Sequence, residues 1–279
     1  MIETSPTVRL QLDSRPESLT VVRSMLAGIG EALAFDAELL DDLKTAVSEA
    51  CNNVVLHAYD GLVGPLLVGL DLGQEGLEVM VRDQGSGIQY VASSAEDRMG
   101  VGLAVISALA DRAEFLSAPD GGTEVRMAFL DRGASVQLLD APIETIAGPP
   151  AALTGDVVVT LAPVRLLVGV LGRVARALAA GARFSLDRFS DVYLVTDALA
   201  AHAQGAASAP AVSFAIVAQT RRLEITIGPF FPGSASHLLA AATARHSGSP
   251  LPLLADELTV ERLDGSELLR LVLLDARKS

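Results

Sequence analysis

The sequence contains no tryptophan, a single cysteine and few aromatic residues, three Tyr and eight Phe among 279 residues. Without bulky rings, its cores must be aliphatic, built from Leu, Val, Ile and Ala. Half of the chain is hydrophobic, enough for two cores of ordinary size. Cys51 has no intrachain partner for a disulfide, which fits a reducing compartment; set in a helical pattern, it reads as a small buried thiol. No run reaches the ~20 apolar residues of a membrane span. Residues 1–12 lack the apolar core of a signal peptide, so a cytoplasmic protein with no membrane partner is expected. Positive charge is also scarce. A net charge of −13 disfavours direct nucleic-acid binding, which needs clustered Lys and Arg, and permits a basic protein partner.

Glycine and proline concentrate in residues 133–155, where no periodicity persists. This segment reads as a linker between a first domain, 1–132, and a second, 156–279. The first domain shows an alternating stretch at 8–12, a helical pattern after Pro16 and a second helix at about 36–58. Strands follow at 66–72 and 77–82, then a Gly-rich loop, a short helix at about 101–110 and a closing strand at 124–130. The second domain repeats that order. The predicted fold class is α/β, an α+β two-layer sandwich: two tandem domains, each a mixed sheet with helices on one face. Local sequence echoes as well. Leu77–Val81 resembles Leu223–Ile227, and Ala46–Ala50 resembles Leu194–Ala198, at offsets near 148 to 144, as in an internal tandem repeat.

Chemistry concentrates in the first domain. Within the helix at 36–58, Leu39, Leu43, Ala46, Val47, Ala50 and Val54 recur at helical spacing and form a buried face. Glu49, Asn53 and His57 are spaced four apart and form a polar stripe, which can hold a hydrated magnesium ion and activate a nucleophile. In Val81-Arg82-Asp83-Gln84-Gly85-Ser86-Gly87-Ile88, a strand ends at an acid able to accept a hydrogen bond from an exocyclic amine such as that of adenine. Gly85 and Gly87 let backbone approach a ligand. Arg98-Met99-Gly100-Val101-Gly102-Leu103 precedes an apolar helix, whose free amides can cradle phosphate. Gly121-Gly122-Thr123 opens the final strand and can close the floor of the pocket. Each piece alone is a weak signal; their order and spacing carry the reading.

Over about residues 8–131 these pieces resemble the GHKL (Bergerat) ATPase family. "SEACNNVVLHAY" looks like its N box, "RDQGSGI" like its first glycine box, and "RMGVGLAVISALAD" with "GGTEVRMAF" like its second glycine box and final strand. The compact size and short lid resemble the anti-sigma-factor serine kinase branch (RsbW-like). The resemblance implies ATP and Mg²⁺ as cofactors, Glu49 as general base, Asn53 as the Mg²⁺ ligand and Asp83 as the adenine acceptor. It implies a pocket and lid shaped by Gly85, Gly87, Ile88, Arg98, Gly100, Val101, Gly102, Leu103 and Thr123. It also implies a sigma factor or an anti-sigma-factor antagonist as partner. Two departures are visible. Arg23 corresponds only approximately to the partner-touching arginine of the first helix, and the lid at 89–98 has Arg98 but no lysine.

Aligned on the repeat, Glu49 falls on Asp197, Asn53 on Ala201, Asp83 on Pro229, Gly85 on Phe231 and Gly87 on Gly233. The second domain therefore reads as a degenerate GHKL copy without ATP-binding residues, and the chain as an intrachain pseudo-dimer. Four functions compare differently with this pattern. One is an ATP-binding anti-sigma regulatory factor with serine/threonine-protein kinase activity, acting in transcription regulation. The second is a nucleotide-dependent binding module without phosphotransfer. A histidine kinase needs an upstream phosphoacceptor, and residues 1–56 contain no His. A gyrase-, Hsp90- or mismatch-repair-like ATPase needs a different second domain.

Overall fold

The structure, a computed structural model, describes residues 7–73, 76–87, 101–118, 121–130, 146, 148–243, 251–263 and 265–275. The chain forms two compact units, Met1–Thr145 and Ile146–Ser279. Among the described residues no helix is long and apolar enough to cross a membrane.

The first unit runs β1 (Val8–Asp13), α1 (Ser18–Ala32), α2 (Ala37–Asn53), a π-helical turn (Val54–Ala58), β2 (Pro65–Gly73), β3 (Gly76–Asp83), α3 (Val101–Leu109), β4 (Arg112–Ser117) and β5 (Thr123–Leu130). Its strands lie in the order β4-β5-β3-β2-β1. The expected mixed sheet is antiparallel at every described pairing of this unit, because β4 returns through a tight turn onto β5 and β5 lies antiparallel to β3. Strand pleating sends alternate residues to one side. Register then aligns Leu10, Val68, Val81, Val125 and Phe115 in one row across the five strands, and Val8, Leu70, Val79, Met127 and Ala113 in the next. On that side α1 packs on β1, and α2 on β3 and β5. Helix α2 starts at Asp36, whose side chain accepts the amide of Leu39 at 2.7 Å. All six apolar positions expected on its inner face are buried. Burial also pushes the Cys51 thiol up to about 12, which leaves it an inert core residue.

The second unit runs β6 (Val157–Leu161), a 3₁₀ turn (Val164–Leu166), α4 (Leu167–Gly181), α5 (Leu186–Ala206), β7 (Val212–Gln219), β8 (Arg222–Phe230), α6 (Ser234–Thr243), α7 (Leu251–Leu254), β9 (Glu257–Leu263) and β10 (Ser266–Leu274). Strands β6, β7, β8, β10 and β9 adjoin in that order, again antiparallel. Individual register positions correspond to those of the first unit. Val68 faces Val81 as Phe214 faces Ile227; Val79 faces Met127 as Ile225 faces Leu271; Ala113 faces Met127 as Leu258 faces Leu271. The helical hairpins correspond too. Ala34 (φ +53°) and Arg183 (φ +60°) each break between two helices, and the next amides, of Phe35 and Phe184, return to Gly30 and Ala179. Part of the expected linker belongs to this unit: Leu153, in a turn begun at Pro150, packs on Val158, Ala215 and Leu268.

Candidate nucleotide site

The site is assembled at the ends of β3, α2 and β5. In β3 the residues Leu77, Val79, Val81 and Asp83 share the core side, so the strand's own pleat carries a carboxylate inward. Asp83 is only 3% exposed. Its Oδ1 accepts the amides of Gly85 (2.8 Å) and Thr123 (3.2 Å). Both bonds fall on Oδ1, and a carboxylate oxygen accepts, so a ligand N–H is the chemical complement of Oδ2.

Two glycines make this packing possible. A Cβ on Gly122 (φ +85°) would lie 2.3 Å from the Asp83 carbonyl oxygen and 2.7 Å from Oδ1; one on Gly85 would lie 2.0 Å from the Ala58 carbonyl oxygen. Gly87 rests beside the Gly122 carbonyl. The π turn delivers Ala58 under this loop, where its carbonyl accepts the amide of Ser86 at 3.0 Å. Glu49 and Asn53, one turn apart on α2, are brought together. An ideal Cβ on Gly102 would lie 3.0 Å from Glu49 Oε2 and 3.5 Å from Asn53 Oδ1, so the start of α3 lies against both polar groups.

The expected residues thus divide. Asp83, Gly85, Gly87 and Thr123 meet at the end of β3, Thr123 through its backbone amide rather than its hydroxyl, and Glu49, Asn53 and Gly102 meet where α3 starts. Gly102 lies inside the first turn of α3 and not in a loop before it, because the helix begins at Val101. Val101 is exposed and Leu103 half-buried. Ile88, Arg98 and Gly100 lie outside the described residues. The π turn interrupts the polar stripe, and His57 is exposed. Arg23 donates from Nε to the Ser48 hydroxyl at 2.8 Å, which itself donates to the Lys44 carbonyl.

Sequence reasoning assigned no role to Tyr59. Its hydroxyl donates to the Pro65 carbonyl at 2.6 Å and accepts the Gln84 amide at 2.8 Å. The signal available was an aromatic residue directly after the polar stripe, in a chain poor in aromatics.

In the second unit the strand alignment stands: Pro229 follows Gly228 where Asp83 follows Arg82, and Glu267 pairs with Arg262 as Thr123 pairs with Ser117. The helix alignment is corrected by one residue. The caps Asp36 and Ser185 and the buried positions Leu43/Val192, Ala46/Val195 and Val54/Ala203 superpose only if Glu49 matches Ala198 and Asn53 matches His202. The echo between residues 46–50 and 194–198 misled because Ala, Val and Ser/Thr recur along both inner faces. Asp197 is an exposed helix residue. The His202 Nε2 is buried without a hydrogen bond, its ring is edge-on to Phe230 at 5.2 Å, and burial holds its pKa below the ordinary value. Glu267 is buried and accepts the Ala235 and Ser236 amides (3.0 and 3.1 Å) and the Ser236 hydroxyl (2.6 Å), at the start of α6. Burial alone would raise its pKa, but these bonds outweigh it and hold the carboxyl below the usual range.

Residues 12–129 match the family described as histidine kinase-like ATPase domain. The chain is 31% identical over 148 residues to serine-protein kinase RsbW of Bacillus pumilus (strain SAFR-032), covering 47% of this chain and 91% of that protein. The chain belongs to the RsbW serine-protein kinase family. Serine-protein kinases RsbW of Bacillus mycoides (strain KBAB4) and Bacillus cereus (strain G9842) are each 30% identical over 100 residues, covering 36% of this chain. There the chain spans 61% of the relatives' length, under two thirds. The GHKL-type match takes in Glu49, Asn53, Asp83, Gly102 and Thr123 and ends before the second unit.

Proposed function

We propose that the first unit binds ATP with Mg²⁺ and transfers phosphate to a serine or threonine hydroxyl. In this reading the chain is an anti-sigma regulatory factor that binds a sigma factor and phosphorylates an anti-sigma-factor antagonist. The observation that carries it is Asp83: a buried carboxylate at the end of β3, oriented by two backbone amides on Oδ1. The family name of the relatives supports the same chemistry. Asn53 offers a neutral amide oxygen of the kind Mg²⁺ accepts beside phosphate and water. Glu49, one turn away, would take the proton of the attacking hydroxyl. Phosphoryl transfer is largely positioning and charge neutralisation, so this small set suffices.

The second unit is proposed to be a degenerate copy that cannot hold ATP. Matching registers support common descent, while Pro229, Ala198 and His202 stand where Asp83, Glu49 and Asn53 stand in the first. Its exposed helix face is more apolar than its counterpart. Leu186, Tyr193 and Leu194 are 89, 54 and 46% exposed at the positions of Ala37, Lys44 and Thr45. Arg176 lies over the Tyr193 ring at 5.4 Å. This composition suits protein recognition. The proposal extends to an intrachain pseudo-dimer. Joining the copies in one chain keeps them at about millimolar effective concentration.

The test is co-purification from the native cell with ATP or ADP present, followed by transfer of labelled phosphate to any recovered antagonist-like protein. Recovery of a sigma factor and label on serine support the reading. Partner recovery with no transfer leaves a nucleotide-dependent binding module.

A further inference from the structure

We propose that Tyr59 is a positioning residue for Asp83, acting as a one-hydroxyl spacer in the β2–β3 ladder that sets where the nucleotide-reading carboxylate stands. The inference rests on the reading of Asp83 as the base acceptor.

The last pair of the β2–β3 register is Leu66 with Asp83. The next position would set Pro65 opposite Gln84. Proline has no N–H, so a mutual backbone pair cannot form there. The Tyr59 hydroxyl stands between the two strands instead, taking the Gln84 amide and giving its proton to the Pro65 carbonyl. The strand ends are thus held apart by one oxygen atom rather than zipped together. That separation lets the chain after Asp83 turn away through Gly85 and Ser86 over Ala58, which returns the Gly85 amide to Asp83 Oδ1. The ring is seated against Gly64, where a Cβ would come within 2.3 Å of it, so the spacer has little room to shift. Its hydroxyl stays protonated, and able to donate, because burial first and the Asp83 charge next raise its pKa against the opposing Gln84 amide.

The second unit supplies an internal control. It has no acid at the strand end and no aromatic spacer. There the chain before β7 closes directly on β8: the Ser208 amide donates to the Pro229 carbonyl at 3.1 Å, and Ala207 bridges Phe230. The copy with Asp83 has the hydroxyl bridge; the copy without it joins the segment after its second helix to β8 through backbone alone, and its β7–β8 register ends at Ser213 and Gly228.

The test is calorimetric titration of the full chain with ADP and with GDP, comparing wild type, Tyr59→Phe and Asp83→Asn. Tyr59→Phe removes one oxygen and keeps the ring. The expected result is ADP affinity reduced about 5- to 20-fold, with the preference for ADP over GDP reduced by a similar factor, while circular dichroism stays native. Asp83→Asn abolishes binding. Wild-type ADP affinity and base preference in Tyr59→Phe overturn the proposal while leaving the Asp83 reading intact. Absence of ADP binding by wild type, or unchanged binding in Asp83→Asn, overturns the Asp83 reading itself. Should Tyr59→Phe fail to fold, Gly64→Ala, which presses on the ring from the other side, must show the same loss of base preference or the proposal falls.

Discussion

A methyl group at Gly102 would stand 3.0 Å from Oε2 of Glu49. The neighbour is the end of a flexible side chain and not backbone, so Gly102→Ala should fold normally and displace the carboxylate. Phosphate transfer should fall at least tenfold. Glu49→Gln separates chemistry from binding: ATP affinity should stay within a few-fold while transfer or hydrolysis slows by roughly 10²–10⁴. Asn53→Ala should instead weaken Mg²⁺-dependent ATP binding. Transfer at the wild-type rate by Glu49→Gln would remove the kinase assignment.

Only one unit carries an acid at the end of its third strand, Asp83, against Pro229. Calorimetry should therefore find one ATP per chain, and Asp83→Ala should abolish it. Two equivalent sites would refute the degenerate-copy reading.

Gly85 and Gly122 face backbone at 2.0 and 2.3 Å, and backbone cannot swing aside. Each Gly→Ala change should cost about 2–4 kcal/mol and lose nucleotide binding. Gly121 is the control. It also has a positive φ but nothing within 4 Å of its ideal Cβ, so Gly121→Ala should cost about 1 kcal/mol and leave binding intact. Urea titration of the three variants distinguishes strain from collision.

Acid should weaken the second unit through Glu267. Its folded pKa lies below the unfolded value, so the folded state holds its proton less tightly. The resulting stability is complete above the ordinary glutamate range and is lost as pH falls through the depressed folded value. In Glu267→Gln the acid limb of the stability–pH curve should flatten. An unchanged acid limb would mean that the α6 amides do not hold the charge.

The proposed pseudo-dimer leads to a hydrodynamic expectation: at micromolar concentration, light scattering should give the mass of one chain. A stable dimer of first units would contradict it.

Strong periodicity was legible. The inner face of α2 was read from spacing alone, because burial along it is continuous. Strands β4 and β9 were missed for the opposite reason. They lie beside a single described neighbour each, bury little and carry Arg112, Glu114, Glu257 and Glu261 on alternating positions, so no apolar signal marks them. In the site, Asp83 and the glycines could be named because ligand approach demands particular residue types. Tyr59 and the carbonyl of Ala58 could not. One acts through a hydroxyl between strands, the other through backbone, and neither leaves a spacing rule. The one-residue error at Asp197 arose because local resemblance was weighed without the caps, and it was the Asp36 and Ser185 caps that fixed the helix register.

Glu267 occupies the amides at the start of α6 with a charge that is covalently part of the chain. On the proposed degenerate-copy reading, that half carries its own counterion and should be indifferent to the nucleotide supply. If the half bearing Asp83 takes nucleotide as proposed, its resistance to unfolding should gauge the nucleotide pool, growing by about 2.7 kcal/mol at a concentration a hundredfold above Kd. A single polypeptide would then hold one thermally constant half and one that stiffens and softens with cellular energy supply. Scanning calorimetry across a range of ATP concentrations should show one melting transition climbing past another that does not move.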